Sequence, residues 1–249
     1  MAKVNSIIKI EGTVEDLTFY KKDGVNFVRR KGGVSKERIG NDPNFIRTRE
    51  NNTEFGHSGS SGKVLRRALG TMVFKAKDSK LQSRLLGVMS RIKNMDTVSA
   101  RGQRSVSVGI ATPEGKQALR GFNFNANAIL DSVLFAPYEL DTTTGVITIA
   151  NIIPAEQVMF PQGATHVSFQ GAVCALDFET EESEVAYSPI VNLPINLTPT
   201  TITLTPASVP TGTGQQFFLM MVSFYQQVNG VQYSLKNEEY NVLTILEVV

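Results

Sequence analysis

Apolar and polar residues alternate over residues 4–31, for example where Ile8 and Ile10 flank Lys9, and this pattern is typical of half-buried β-strands. Asp23-Gly24 interrupts the pattern, and an Asp-Gly pair between two β-type runs predicts a hairpin with a type I′ turn. The small sheet is expected to carry three aromatic residues on one packed face: Phe19, Tyr20 and Phe27.

Helical spacing follows the predicted sheet. Asp42-Pro43 predicts a helix start, because Asp caps a helix well and Pro suits the first helical position. Gly56 is expected to end this helix, and residues 57–62, which are rich in Gly and Ser, are expected to form a flexible joint. Apolar residues at helical spacing then predict two amphipathic helices, over residues 63–77 and 80–95.

From about residue 104 onward, alternation predicts an almost entirely β-stranded region. The predicted strands cover residues 105–110, 117–125, 130–135, 145–152, 166–178, 184–191, 200–204, 215–227 and 242–248. Asn229-Gly230 predicts a second type I′ hairpin. The segment Phe217–Phe224 is apolar at both parities, which predicts a central strand covered on both faces.

Charge is divided unequally along the 249 residues, although the net charge is only +2. Residues 1–122 contain 24 of the 25 basic residues and 11 acidic ones, a balance of +13. Residues 123–249 contain one basic residue, Lys236, and 12 acidic ones, a balance of −11. Such asymmetry indicates an interaction surface.

Pattern and charge together predict an α+β chain that is mainly β. A basic N-terminal β-hairpin plus helices would occupy residues 1–122, and an acidic, immunoglobulin-like antiparallel β-sandwich would occupy residues 123–249. The strands from about residue 104 could belong to either unit.

Complementary charge favours contact between the basic and acidic halves. The predicted interface residues are Arg29, Arg30, Lys31, Arg47, Arg49, Arg66, Arg67, Arg101, Arg104, Glu179, Glu181, Glu182 and Glu184. The halves could pair within one chain, or the basic half of one copy could pair with the acidic half of the next. The second arrangement is a heterologous head-to-tail contact, which builds rings or filaments.

Motifs for nucleotide binding and catalysis are weak in this chain. Gly56–Lys63 departs from the phosphate-loop pattern, with His57 in place of the first Gly and Val64 in place of the Ser or Thr. His57 is expected in an exposed loop and His166 on a strand surface. Cys174 is the single cysteine, so an intrachain disulfide is excluded, and it is expected to be a buried, inert thiol.

Carboxylates cluster at residues 179–184, where calcium binding is conceivable but a solvated acidic loop is favoured. We therefore predict no enzyme, no catalytic residue, no cofactor, no metal and no small-molecule substrate. No apolar run reaches the length of about 18 residues that a membrane helix needs, and no signal-peptide pattern is present. The default expectation is a cytoplasmic protein with no membrane partner, with virion or extracellular assembly after release left open.

Short motifs in the first 60 residues carry a resemblance. They are Glu11-Gly-Thr13, Leu17-Thr-Phe-Tyr-Lys21, Arg30-Lys-Gly-Gly33, Ser35-Lys-Glu-Arg-Ile39, Asn41-Asp42, Arg47-Thr-Arg-Glu-Asn-Asn52 and Glu54-Phe-Gly56. Together they resemble the N-terminal signature of a family of uncharacterised bacterial proteins. The resemblance implies no catalytic residue, but it does imply that the polar segment 30–56 is a family feature. That segment is poor in aliphatic residues, so we expect it to reach a neighbouring subunit.

The leading functional hypothesis is a non-enzymatic structural protein that self-assembles head to tail into a filament, tube or particle, such as a phage tail or virion component. The second hypothesis is an accessory protein that binds nucleic acid through its basic N-terminal half, where Lys and Arg would neutralise phosphates. The third is an enzyme of unknown type, which a pocket joining a histidine to a carboxylate would support. The partners expected are therefore a second copy of the chain or a nucleic acid.

Overall fold

The structure is a computed structural model that describes residues 2–4, 10–235 and 240–249. The chain divides into two compact units, Met1–Arg49 and Glu50–Val249. The predicted alternation at Ile8 and Lys9, and the isolated Lys236, lie outside the described residues. The change of charge near residue 122 falls inside the second unit.

The first unit contains a four-stranded antiparallel sheet with the strand order β1-β4-β3-β2. Its strands are β1 (Ala2–Lys3), β2 (Gly12–Val14), β3 (Leu17–Lys22) and β4 (Val25–Arg30). Asp23 and Gly24 have φ values of 49° and 80°, which confirms the predicted type I′ hairpin. A short helix α1 (Lys36–Asn41) and a 3-10 turn (Pro43–Phe45) follow.

One detail of the predicted sheet is wrong. The register places Tyr20 opposite Phe27 but Phe19 opposite Val28. Because successive residues of a strand point to opposite faces, Phe19 cannot share a face with Tyr20. Tyr20 and Phe27 stack with their ring centroids 5.8 Å apart.

Helix α2 runs from Ile46 to Lys75, so the predicted end at Gly56 and the flexible joint at residues 57–62 are wrong. The hydroxyls of Ser58 and Ser61 donate to carbonyls one turn earlier, each at 3.0 Å. A Cβ at Gly62 would lie 3.4 Å from the Leu85 side chain. The small residues therefore allow close packing of this helix on α3 (Leu81–Lys93), rather than a joint.

Gly70 interrupts the regular geometry of α2. Its φ of 39° and ψ of −105° are non-helical, and they produce a kink near the end of the helix. The helix continues after the kink and ends at Lys75, two residues before the end of the predicted helix over 63–77. The predicted helix over 80–95 is confirmed as α3.

Three short helices stand where strands were predicted over 105–135. They are α4 (Val106–Ile110), α5 (Pro113–Leu119) and α6 (Leu130–Val133). The hydroxyl of Ser105 accepts a hydrogen bond from the Val108 N–H, and that of Thr112 accepts one from the Gly115 N–H. These caps favour helix starts, whereas the short alternating runs had suggested strands.

Two antiparallel sheets complete the second unit. The strands are β5 (Glu139–Leu140), β6 (Ile147–Ile152), β7 (His166–Leu176), β8 (Ser183–Tyr187), β9 (Val191–Pro194), β10 (Thr200–Leu204), β11 (Gln215–Val228), β12 (Val231–Ser234) and β13 (Val242–Val248), with a short helix α7 (Pro154–Gln157) after β6. One sheet has the order β10-β6-β5. The six-stranded sheet has the order β12-β11-β7-β8, with β13 paired to β11 and β9 paired to β7.

Strand β11 is covered on both faces, as its apolar sequence predicts. Phe217, Leu219 and Met221 join the core formed with helices α2 to α5. Met220, Val222 and Phe224 join a second core formed with the three-stranded sheet. The unit is thus layered as helices, large sheet and small sheet, and the chain is mixed rather than mainly β, with about 30% helix and 32% strand.

Strand β13 also holds the segment between the helical layer and the sheets. The N–H groups of Gly121 and Phe124 donate to the carbonyls of Ile245 and Leu243, each at 2.8 Å. The Thr244 hydroxyl donates to the Asn123 side chain, 121 residues away in sequence. The helical layer is therefore tied to a strand that lies far along the chain.

Candidate functional site

The buried carboxylate of Glu54, on α2, forms ion pairs with two cations in the second unit. Its side chain is 1% exposed. Arg104 donates to both carboxylate oxygens, at 2.9 and 2.7 Å, and Lys93 donates at 2.6 Å. The N–H of Gly102 donates at 2.7 Å. Arg104, a predicted interface residue, therefore has a structural partner inside the molecule.

These contacts hold the pKa of Glu54 well below its ordinary range, chiefly through the hydrogen bond from Arg104 and against the opposing effect of burial. A carboxyl with a lowered folded-state pKa stabilises the fold above its unfolded-state pKa, about 4.3, and loses that contribution as the pH falls further.

We therefore expect the free energy of unfolding to decrease as the pH is lowered from 5 to 3, with a smaller decrease in the variant Glu54→Gln. Urea unfolding followed by circular dichroism at each pH measures both slopes. Equal slopes in the two proteins would contradict the assigned role of Glu54.

Two further buried carboxylates fix chain connections. The carboxylate of Asp96 accepts hydrogen bonds from the N–H groups of Val98, Ser99 and Ser105, at 3.1, 2.9 and 3.0 Å. Asp78 accepts hydrogen bonds from the guanidinium of Arg84 and from backbone N–H groups. Burial opposes ionisation, but the donors prevail and lower the pKa of both carboxyls. These groups anchor loops, and no pattern in the sequence indicates them.

Among the predicted interface cations of the first unit, Arg49 binds backbone groups of its own unit. It donates to the carbonyls of Ile39 and Asp42, at 2.8 and 3.0 Å. The others are exposed at the surface: Arg29, Arg30, Lys31 and Arg47. The guanidinium of Arg29 lies 5.6 Å from the centroid of the Tyr20 ring, and Arg30 lies 3.9 Å from the exposed carboxylate of Asp16.

The predicted interface cations of the second unit differ in their surroundings. Arg101 lies 3.3 Å from the carboxylate of Glu50. Arg66 donates from Nε to the carbonyl of Gly62, at 3.2 Å. Arg67 is exposed on α2.

Three of the predicted acidic residues lie on the turn between β7 and β8, and the fourth, Glu184, lies at the start of β8. We call residues 177–184 the acidic turn. Asp177 shapes it by accepting hydrogen bonds from the N–H groups of Glu179 and Thr180, at 2.7 and 3.3 Å. The four predicted carboxylates are exposed: Glu179, Glu181, Glu182 and Glu184. Within the described ranges, no cation forms an ion pair with them.

The basic and acidic halves of the sequence hardly neutralise each other through direct contacts. Among ion pairs between described residues, only Arg120–Glu247, at 3.2 Å, joins residues 1–122 to residues 123–249. The remaining pairs join basic and acidic residues within 1–122. The exposed acidic turn is thus left without a described cationic partner.

An exposed aromatic ring lies in basic surroundings beyond the kink of α2. Phe74 is 75% exposed, and the ammonium of Lys77 lies 5.2 Å from its ring centroid. Phe74 borders a cleft of about 370 Å³ that also includes Arg66 and Lys77. It borders a second cleft, of about 440 Å³, that includes Lys75 and Tyr225. We call these two adjoining clefts the basic cleft, and no pattern in the sequence predicts it.

The histidines and the cysteine form no catalytic set in the described chain. His57 is exposed on α2, in a helix rather than the predicted loop, and His166 lies on β7 with Nδ1 3.0 Å from the hydroxyl of Thr165. Burial raises the pKa of Cys174 to about 12, so this thiol is unreactive, as predicted.

The described residues contain no group of three His, Cys, Asp or Glu side chains that could hold a metal ion. None of the helices in the described ranges combines the length and the apolar character needed to cross a membrane. Comparisons of the chain with protein-family models, curated proteins and solved structures find no match.

Proposed function

We propose that the chain is a non-enzymatic structural protein that self-assembles head to tail into a filament, tube or particle, such as a phage tail or virion component. The basic Met1–Arg49 unit of one copy would bind the acidic turn of the next copy. The observation that carries this proposal is that no side chain between Ile10 and Arg49 is buried.

Residues 10–49, none of which is buried, need a further surface to stabilise them, because burial of apolar area is what offsets the conformational entropy lost on folding. The sheet of the first unit offers apolar residues for such a contact. Val14 lies opposite Leu17, and Phe19 lies opposite Val28, so all four share one face of the sheet. Val14 and Leu17 are among the exposed large hydrophobic residues.

Charge favours the acidic turn of another copy as the binding surface. Residues 1–49 contain 11 basic and 6 acidic residues, a balance of +5. The exposed cations Arg29, Arg30 and Lys31 follow one another along the end of β4. Opposite charge steers association and sets its orientation. Because the two surfaces differ, the contact is heterologous and repeats from copy to copy.

Two variants test this arrangement after nuclease treatment of the protein. Arg29→Gln/Arg30→Gln removes one cation from each face of β4 in the basic unit. Glu181→Gln/Glu182→Gln removes two carboxylates from the acidic turn. Each variant alone is expected to lose the polymers that the wild type forms. A 1:1 mixture is expected to stop at heterodimers, because only one intact pair of surfaces remains.

Analytical ultracentrifugation and negative-stain electron microscopy measure these states in 50 and 500 mM salt. The matched control, Glu139→Gln/Glu156→Gln, removes two exposed carboxylates outside the acidic turn and should assemble like the wild type. A wild-type protein that stays monomeric at both salt concentrations would contradict the proposal. Equal loss of assembly in the control would contradict the assigned surface.

The immunoglobulin-like description of residues 123–249 also stays a proposal. It is supported by two antiparallel sheets that share one core, although helices cover the other face of the large sheet.

A further inference from the structure

We infer that the basic cleft binds single-stranded nucleic acid, with the ring of Phe74 stacked on a base. This site lies in the unit Glu50–Val249 and is separate from the self-assembly surfaces proposed above.

Phe74 is the most exposed aromatic side chain that the structure describes, at 75%. The neighbouring Val73 is buried in the helical core. Val73 therefore packs this part of the helix against the core, and the ring of Phe74 adds little to packing within the chain. Lys77 contacts the ring, and open clefts border it. A flat, accessible aromatic face beside cations is what proteins use to stack an unpaired base.

Cations extend from this ring along α2. Lys63, Arg66 and Arg67 lie before the kink at Gly70, at spacings of three and four residues that keep them near one side of the helix. Arg66 lines the same cleft as Phe74. Lys63 and Arg67 are exposed, and neither forms an ion pair with a described carboxylate. At 1.5 Å per residue, Lys63 and Arg67 are about 6 Å apart along the helix axis. This row suits a phosphate backbone that leads a base to the ring.

Among the residues that the structure describes, the acidic groups near the cleft do not oppose a phosphate. Asp78 lines it, but this carboxylate is buried and paired with Arg84. The acidic turn follows Leu176, which pairs with Gln215, whereas Tyr225 of the cleft pairs with His166. Ten residues of β7 separate these positions, which corresponds to about 33 Å. The cleft and the acidic turn thus occupy opposite ends of one sheet.

A single strand fits the site better than a duplex or an acidic protein. The bases of a duplex are already stacked on both faces, so an exposed ring has no free base to contact. An acidic peptide would use the cations but would gain no stacking from Phe74. The ring therefore distinguishes the ligands, and it provides the test.

The chain contains no tryptophan, so Phe74→Trp introduces a single fluorescent reporter at the site. We expect quenching of this fluorescence by oligothymidylate of 15 nucleotides, and weak or no quenching by a duplex or by polyglutamate. The matched control is Phe55→Trp, because Phe55 is also exposed on α2 but lies outside the cleft. Equal quenching of the two reporters, or stronger quenching by polyglutamate, would overturn the inference.

Fluorescence anisotropy with labelled oligothymidylate gives an independent measurement. Phe74→Ala is expected to weaken binding about tenfold, as is typical for loss of one stacked base. Lys63→Gln/Arg67→Gln is expected to make the slope of log K against log salt shallower by about 1.4, and the control Arg91→Gln, an exposed cation on α3, should leave that slope unchanged. Absence of binding by the wild type, or unchanged binding by Phe74→Ala, would overturn the inference.

Discussion

Replacing Gly109 by alanine is expected to lower the free energy of unfolding by about 3 kcal/mol. A Cβ at this position on α4 would lie 2.0 Å from the carbonyl oxygen of Ile92 and 2.8 Å from its carbon. These are backbone atoms of α3, so no side-chain rotation can remove the overlap. The helices would have to separate, and the buried contacts of Ile92 and Ile110 would be disturbed.

Urea unfolding followed by circular dichroism measures this loss, and the same substitution elsewhere provides the control. Gly87 lies within α3, and a Cβ there would meet no atom within 4 Å. Gly87→Ala should therefore stabilise the protein by about 0.5 to 1 kcal/mol, because alanine loses less conformational entropy in a helix. A Gly109→Ala protein as stable as Gly87→Ala would show that α3 and α4 do not pack at this distance.

Glu54→Gln is expected to lower the free energy of unfolding at pH 7 by about 3 kcal/mol. Lys93 and Arg104 have side chains that are only 12% and 28% exposed, and both would lose their anionic partner. Removing one member of a buried ion pair is costly, because the remaining charges stay away from water without compensation. The neutral amide also lacks the two acceptor oxygens that Arg104 uses.

The matched control for Glu54→Gln is Glu247→Gln. Glu247 pairs with Arg120 at 3.2 Å, but the two side chains are 27% and 53% exposed. Solvent screens such a pair, so its loss should cost less than 1 kcal/mol. Urea unfolding at pH 7 compares the two variants. If both lose the same stability, burial of the Glu54 cluster does not have the energetic role assigned to it.

Local sequence signals predict several strands of residues 145–248 and both tight hairpins. The strands at residues 200–204 and 242–248 have the predicted bounds, and Asn229-Gly230 forms the predicted tight turn. These features depend on neighbouring residues, through alternation and through the positive φ values of the turn.

The helical errors have a different origin. Residues 57–62 have the composition of a loop, and only the position of Leu85 shows that their small size serves helix packing. Helices α4 and α5 are too short for a 3.6-residue period to be evident. The residues that indicate these helices are the N-caps Ser105 and Thr112. The short alternating runs beside them favour a strand prediction instead.

The candidate surfaces were predicted only in part. The acidic turn follows directly from its composition. The ion pairs of Lys93 and Arg104 cannot be predicted from composition, because Glu54 lies 39 and 50 residues away from them in the sequence. Predicting the basic cleft would require knowing that α2 is kinked at Gly70 and that Phe74 is exposed. No residue pattern in the sequence indicates either feature.

The attachment of residues 121–124 to β13 has a consequence for folding during synthesis. The helical layer cannot complete its contacts until the ribosome has made β13, about 120 residues later. At 5 to 20 residues per second, the helices wait roughly 6 to 24 seconds. During that interval the core that the helices share with the large sheet lacks Leu243, Ile245 and Val248. Apolar surface that is exposed in this way during synthesis favours aggregation.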